Sequence, residues 1–444
     1  MSNQTNRRQL TQQEIDILTE NGCSAGDWNN ISVGLDFSPA GISNVHFAGQ
    51  VSIGNRVIIR NVAESIANYD IGDEVVISDV RSLITYGQRS FGNGVRVAVV
   101  NENGGRVIPI FEGLSAQIAY LMAMYRHDAA LIETLEAKAA EIVGQKTSGQ
   151  GVIGDGVQIS HCDFICNVNI GPSAKLYGVS RLENGTILSW PDDQAHVGTD
   201  VIARDFIIAE GAKVTDATRL NRCFVGQRVR LENGFSAVDS VFFANSHFEQ
   251  GEACSVFAGP FSVSHHKSTL LIAGLYSFYN AGSGTNNSNH MYKLGPMHQG
   301  ILERGCKSGS ESYLMWPSRI GAFSTVIGKH SKRIDTSALP FSVLLERHGK
   351  SELFVGLNLT NVGLVRDGQK WPKRDKRKMP NPADQVNSKV FTPYTAQKML
   401  AGIELLKKLE QKHTGSGDVL SHGVAIRTPV RGIELYQLAM GQYF

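Results

Sequence analysis

Along much of the chain an aliphatic residue is followed by glycine, two variable positions and a small or β-branched residue. The pattern Ile/Val-Gly-x-x-(Ser/Thr/Ala/Val) occurs at 53–57, 71–75, 143–147, 153–157, 170–174, 197–201, 225–229, 320–324 and 327–331. Residue frequencies alone would give about two matches; nine in 444 residues marks a repeat. Near-misses such as IAEGA (208–212) and VTDAT (214–218) fall in the gaps. The aliphatic residue is expected to end a short strand pointing inward, with a tight turn at glycine and a return to the interior four positions on. One such unit cannot bury its apolar face, so units must stack. A step of 18 residues from Val225 meets Phe243, Phe261 and Tyr279, and the same step from His247 meets His265.

The repeat is interrupted. Residues 114–144, LSAQIAYLMAMYRHDAALIETLEAKAAEIVG, carry apolar positions at spacings of three and four and predict one long amphipathic helix. The predicted order is an N-terminal helical segment (1–30), a first β block (31–111), the inserted helix (112–149), a main β block (150–365) and a C-terminal region (366–444) of basic strap and helices. Thr11 with Glu14 forms a capping-box pattern for the first helix. TPYTAQKMLAGIELLKKLEQK from Thr392 predicts another, followed by a linker, TGSGD, at 414–418. The final YQLAMGQYF is apolar enough to pack, or to end inside a larger domain.

These units resemble the hexapeptide-repeat superfamily, in which three hexapeptides make each turn, about 18 residues, of a left-handed parallel β-helix. Segments 259–300, 319–346 and 362–378 resemble more closely an uncharacterised bacterial β-helix family. The resemblance implies a mainly β protein, a left-handed parallel β-helix solenoid carrying the inserted helix and the C-terminal strap. The superfamily includes acyltransferases acting on amino sugars and nucleotide sugars with acyl-CoA or acyl-carrier-protein donors. It therefore implies a sugar or nucleotide-sugar acceptor, no tightly bound cofactor, and a homo-oligomer with a trimer favoured.

Composition narrows the class. Apolar content of 42% and a net charge of +2 describe an ordinary globular chain, so any basic surface must be local and nucleic acid is not the expected partner. The N-terminus lacks the apolar core of a signal peptide, and no run suits a membrane span. Six cysteines without regular spacing do not make a disulfide framework, so a reducing cytoplasm is the expected location.

Acyl transfer needs a base near neutrality, a role that suits histidine. Histidines cluster in SVSHHKS (262–268), NSNHMYK (287–293) and PMHQG (296–300). His290 and His265 are the candidate catalytic bases. Asn286, Asn287, Asn289, Tyr292, Lys293, His298 and His266 are candidates for holding the acceptor, because amides both donate to and accept from sugar hydroxyls. The competing reading gives these asparagines and glycines only turn geometry. RDGQKWPKRDKRK (366–378) holds seven basic and two acidic residues around Trp371. Lys370, Lys373 and Arg374 are candidate phosphate ligands; the alternative is a solvated strap plugged by Trp371. No metal ligand set emerges: His161, Cys162 and Cys166 lack zinc spacing. A non-catalytic ligand-binding module and a purely structural solenoid remain as rival functions.

Overall fold

A computed structural model describes residues 7–288, 299–412, 419–421 and 423–443. The fold is mainly β with parallel sheets. Two compact units are present: Met1–Val97, Ile108–Val238 and Arg377–Ala383 form one, and Ala98–Val107, Asp239–Lys376 and Asp384–Phe444 the other.

In the first unit, strands Ile66–Ile71, Gly151–Ile153, Phe164–Ile170, Arg181–Ile187, Ile202–Ile208 and Arg219–Val225 stack as parallel rungs. Phe164 pairs with Arg181 and Ile202 with Arg219, a step of about 17 residues. A second parallel ladder runs Ile58–Val62, Val76–Val80, Gln158–Ser160, Lys175–Tyr177, His196–Val197, Lys213–Val214 and Arg230–Glu232. The antiparallel strand Arg7–Gln9 pairs with Ile31–Gly34 at the start of the chain. It leads into helix α1 (Gln12–Glu20), whose capping box between Thr11 and Glu14 is formed.

The glycine repeat is placed by backbone contact. Ile53, Ile71, Ile153 and Ile170 are buried at strand ends, and Val57, Val75, Val157 and Ala174 return to the interior four residues later. Between them, Gly54, Gly72, Gly154 and Gly171 each donate an N–H to the carbonyl of Ile71, Ile153, Ile170 and Ile187 on the next rung, at 2.7–2.9 Å. A Cβ on Gly54 would lie 2.3 Å from the Gly72 carbonyl oxygen, and one on Gly154 would lie 2.6 Å from the nitrogen of Pro172. Glycine is there because the neighbouring rung occupies the space of a side chain. Two matches are exceptions: 143–147 falls at the end of a helix, with open space at the Gly144 Cβ, and at 327–331 Ile327 is exposed.

The insertion departs from the sequence expectation. Two helices, α2 (Ala116–Met124) and α3 (Ala129–Lys146), replace the single long one. Tyr125 closes the first, and the Asp128 side chain accepts the Leu131 N–H to start the second. A local cap at Asp128 thus overrides a continuous apolar periodicity. The rungs resume at Gly151, which pairs with Tyr69 across the insertion.

The second unit repeats the logic with aromatic corners. Val241 pairs with Phe257, Phe257 with Leu275 and Ile301 with Arg319. Leu275 pairs with Ile301, and within that span strand Asn286–Ser288 pairs in parallel with Leu270–Ile272 on one side and Tyr313–Met315 on the other. Phe261, Phe278, Phe323 and Phe341 all adopt left-handed backbone angles, with φ of 51–58°. This is a costly region for bulky side chains, held here by the rungs on either side. Their N–H groups donate to the carbonyls of Ala244, Pro260, Arg304 and Ala322. Phe261 stacks on Phe278 at 5.4 Å and Phe323 on Phe341 at 5.2 Å. The aromatic register is therefore set by corners, and differs from the Val225–Phe243–Phe261–Tyr279 step expected from sequence.

Between those two stacks the corner residue is Gly305, whose Cβ would strike the Phe323 ring at 2.2 Å. The gap is filled from the side. The Arg304 guanidinium lies 4.7 Å from the Phe278 ring and 5.7 Å from that of Phe323. Trp371 sits at 4.7 Å and 6.2 Å from the same rings. Trp371 belongs to α4 (Val362–Arg374), which begins where the Asn361 side chain accepts the Gly363 N–H at 2.8 Å. Part of the basic strap is thus helical.

Residues beyond α4 run without regular structure. In the first unit, Lys378 donates its N–H to the fully buried Asp193 carboxylate, which also pairs with Arg228, and Ala383 donates to Gln227. In the second unit, Asp384 accepts from the Ala244 N–H, Arg304 donates to the Asn387 carbonyl and Phe391 packs on Phe341. Helices α5 (Pro393–Lys412) and α6 (Pro429–Tyr443) follow and pack on each other. No described helix is long and apolar enough to cross a membrane.

Two stability predictions follow from this packing. Gly54→Ala should cost about 1–3 kcal/mol in chemical denaturation, whereas Gly144→Ala, in α3 with open space at its Cβ, should gain about 0.5–1 kcal/mol. Equal effects would remove the close-approach explanation. His330 is fully buried, with Nδ1 2.8 Å from Ser351 Oγ and Nε2 3.2 Å from the Ile327 carbonyl. Burial drives its pKa down to about 4. The unfolded chain therefore takes up a proton on this side chain before the folded one does. Its contribution is complete above about pH 6.5 and lost as pH falls to about 4, on the order of 3 kcal/mol. Melting temperature across that range should flatten in His330→Gln.

Candidate functional site

Alternation on one short strand creates the site. In His247–Glu249, Phe248 is fully buried and its two neighbours point outward. Strand Val263–Ser264 lies alongside in parallel, with His247 opposite Val263 and Phe248 opposite Ser264. The chain leaves that strand at His265, which reaches back over the same outer face. Buried serines pin the rungs from inside: Ser246 Oγ accepts the Ser262 N–H and donates to the Gly259 carbonyl, both at 3.2 Å.

One carboxylate joins two imidazoles. Glu249 Oε1 lies 2.7 Å from His247 Nε2 and 3.5 Å from His265 Nδ1. The two rings meet edge to face at 4.3 Å between centroids. His247 and Glu249 are each 18% exposed at the side chain, and His265 42%. A histidine fixed against a carboxylate has a defined tautomer and a stabilised imidazolium, the arrangement of a general base.

The C-terminal region reaches the same rung. Asn245, two residues before His247, donates to the Asp375 carboxylate at 2.9 Å and accepts the Lys376 N–H at 3.1 Å. Asp375 caps the C-terminal end of α4, whose last two turns carry Lys370, Lys373 and Arg374. Burial lowers the pKa of Lys370, and the neighbouring Arg374, Arg366 and Lys307 add to the effect. Lys373 and Arg374 are exposed, whereas Trp371 is buried against Phe278 and Phe323 and shows no free face to a ligand base.

The other expected residues separate. His266 is exposed, and its carbonyl accepts from Thr269 at 3.2 Å. Asn286 Oδ1 accepts from Ser288 Oγ at 2.6 Å. Asn287 is 2% exposed and donates to the hydroxyls of Tyr276 and Tyr279 at 3.3 Å, inside a network continued by Tyr279, Ser308 and Thr285. Its amide satisfies core tyrosines. Asn289, His290, Tyr292, Lys293 and His298 lie outside the described residues. Sequence reasoning missed Glu249 and did not assign His247 a role. The available signal was the His-x-Glu alternation in a strand one repeat before His265.

Residues 7–57 and 50–410 match the family described as Domain of unknown function (DUF4954). An uncharacterized protein of Treponema pallidum (strain Nichols) is similar, at 26% identity over 482 residues covering 98% of this chain. The chain spans 66% of that relative's length. With the family match extending over most of its residues, the chain belongs to the DUF4954 family.

Proposed function

We propose that the protein is a left-handed parallel β-helix enzyme of acyltransferase type, in which His265 is the general base and Glu249 its positioning partner. The acceptor is a sugar or nucleotide sugar, and the acyl donor a thioester on coenzyme A or an acyl-carrier protein. The observation carrying this reading is the docking of Asp375 and Lys376 on Asn245. Asn245 is the turn residue two positions before His247, so the C-terminal end of α4 docks on the turn that leads into the His247–Glu249 strand. That docking supports reading the His265 base and the α4 cations as parts of one site. Parallel rungs stepping by about 17 residues support the β-helix, and the acyl-transfer chemistry follows from that likeness together with the His–Glu pair.

In this mechanism His265 removes a proton from the acceptor's amine or hydroxyl as that atom attacks the thioester carbonyl. The thiolate leaves and takes up a proton, and Glu249 stabilises the imidazolium formed meanwhile. Lys370, Lys373 and Arg374 attract the acceptor's phosphates. Assembly into a homo-oligomer, a trimer by preference, and a cytoplasmic location complete the proposal.

Purified protein should release thiol from a panel of acyl-CoA and acyl-carrier-protein donors when amino sugars or nucleotide sugars are supplied. His265→Ala should reduce kcat about 100-fold or more, while His348→Asn, on an exposed hairpin turn, should leave it unchanged. Replacing Lys370, Lys373 and Arg374 together by alanine should raise KM for phosphate-bearing acceptors about tenfold with little change in kcat. Thermal stabilisation by a nucleotide sugar without any product would instead establish a binding module. No turnover and no stabilisation across the panel would end both readings.

A further inference from the structure

We propose that His247, Glu249 and His265 form a binding site for a divalent transition-metal ion of the zinc class. One ligand atom from each residue lies within 4.8 Å of the others. Two imidazoles and a carboxylate are the donor set that favours zinc and its neighbours over magnesium or calcium, which prefer oxygen alone. Three protein donors is also the number found where a metal keeps a position for water or substrate.

The scaffold preorganises this set. His247 and Glu249 are locked two apart on a strand whose intervening Phe248 is fully buried, so neither side chain can turn inward. His265 comes from the adjoining rung, held by the His247 N–H bond to the Ser262 carbonyl at 2.9 Å. Sites built on strands hold their geometry better than sites built on loops. Glu249 Oε1 already lies between the two imidazoles, at 2.7 and 3.5 Å. An ion entering here replaces the imidazole–carboxylate contacts: a neutral ring binds through one nitrogen and keeps its single proton on the other, and only an imidazolium releases a proton to solvent.

Metal occupancy goes beyond acyl transfer and does not rest on it. An ion on His265 Nδ1, the nitrogen facing Glu249, leaves the neutral ring's proton on the nitrogen that a base needs free, so the two roles are alternative states of one cluster. The test reads binding alone. Chelator-treated full-length protein is titrated with cobalt(II), followed by visible absorption, and with zinc, followed by calorimetry. Saturable uptake should appear, with Glu249→Gln and His265→Ala each weakening it more than about tenfold and His348→Asn leaving it unchanged. Both substituted side chains reach solvent, and circular dichroism verifies that the variants fold. Absence of saturable uptake, or equal affinity in the wild type and both cluster variants, would overturn the site. Because turnover is not measured, this result and the fate of the transferase reading are separable.

Discussion

The distance between neighbouring parallel rungs is the constraint on which the rest depends. Strands bonded side by side stand about 4.8 Å apart, which leaves no room for a side chain wherever one rung's turn rests on the next. The column Gly54, Gly72, Gly154 and Gly171 meets that limit by omitting Cβ, and each N–H reaches the neighbouring carbonyl. Each repeat thereby satisfies its polar backbone through its neighbours, and its aliphatic residues share one continuous interior.

The same spacing explains the aromatic corners. Rings that stack at 5.2 and 5.4 Å match the rise from rung to rung, so Phe261, Phe278, Phe323 and Phe341 gain contact from the geometry that burdens their backbones. Gly305 breaks the series, and Arg304 and Trp371 enter from the side. The place where a corner side chain is missing is where α4 docks. A packing defect in one direction becomes an anchor in another, and the cations on the following turn of α4 are carried with it.

Much of this is legible in the amino-acid sequence. The Ile/Val-Gly units mark strand ends and close approaches because backbone contact constrains residue type tightly at those positions. The break between α2 and α3 was less legible, since Asp128 acts through a single local hydrogen bond within an otherwise helical periodicity. The site was legible in part. His265 stood out by composition, but Glu249 becomes meaningful only when parallel pairing sets it beside the next rung. Asn287 shows the opposite limit. Its polarity suggested recognition, whereas two buried tyrosine hydroxyls account for its amide, a demand invisible until Tyr276 and Tyr279 are seen to face the same interior.

A stack of parallel rungs presents its outer face as a grid, with alternate residues along each strand and successive rungs across them. Chemistry on such a grid requires only that compatible side chains occupy adjacent nodes. His247 and Glu249 take two nodes on one rung, and His265 leaves the next rung to close a third. The interior beneath is indifferent to these identities, since Phe248 and Ser264 supply the packing. Stability and reactivity are thus carried by opposite faces of the same short strands. That separation allows a strained, hydrogen-bonded core to hold an imidazole pair around one carboxylate without the core itself being altered to suit it.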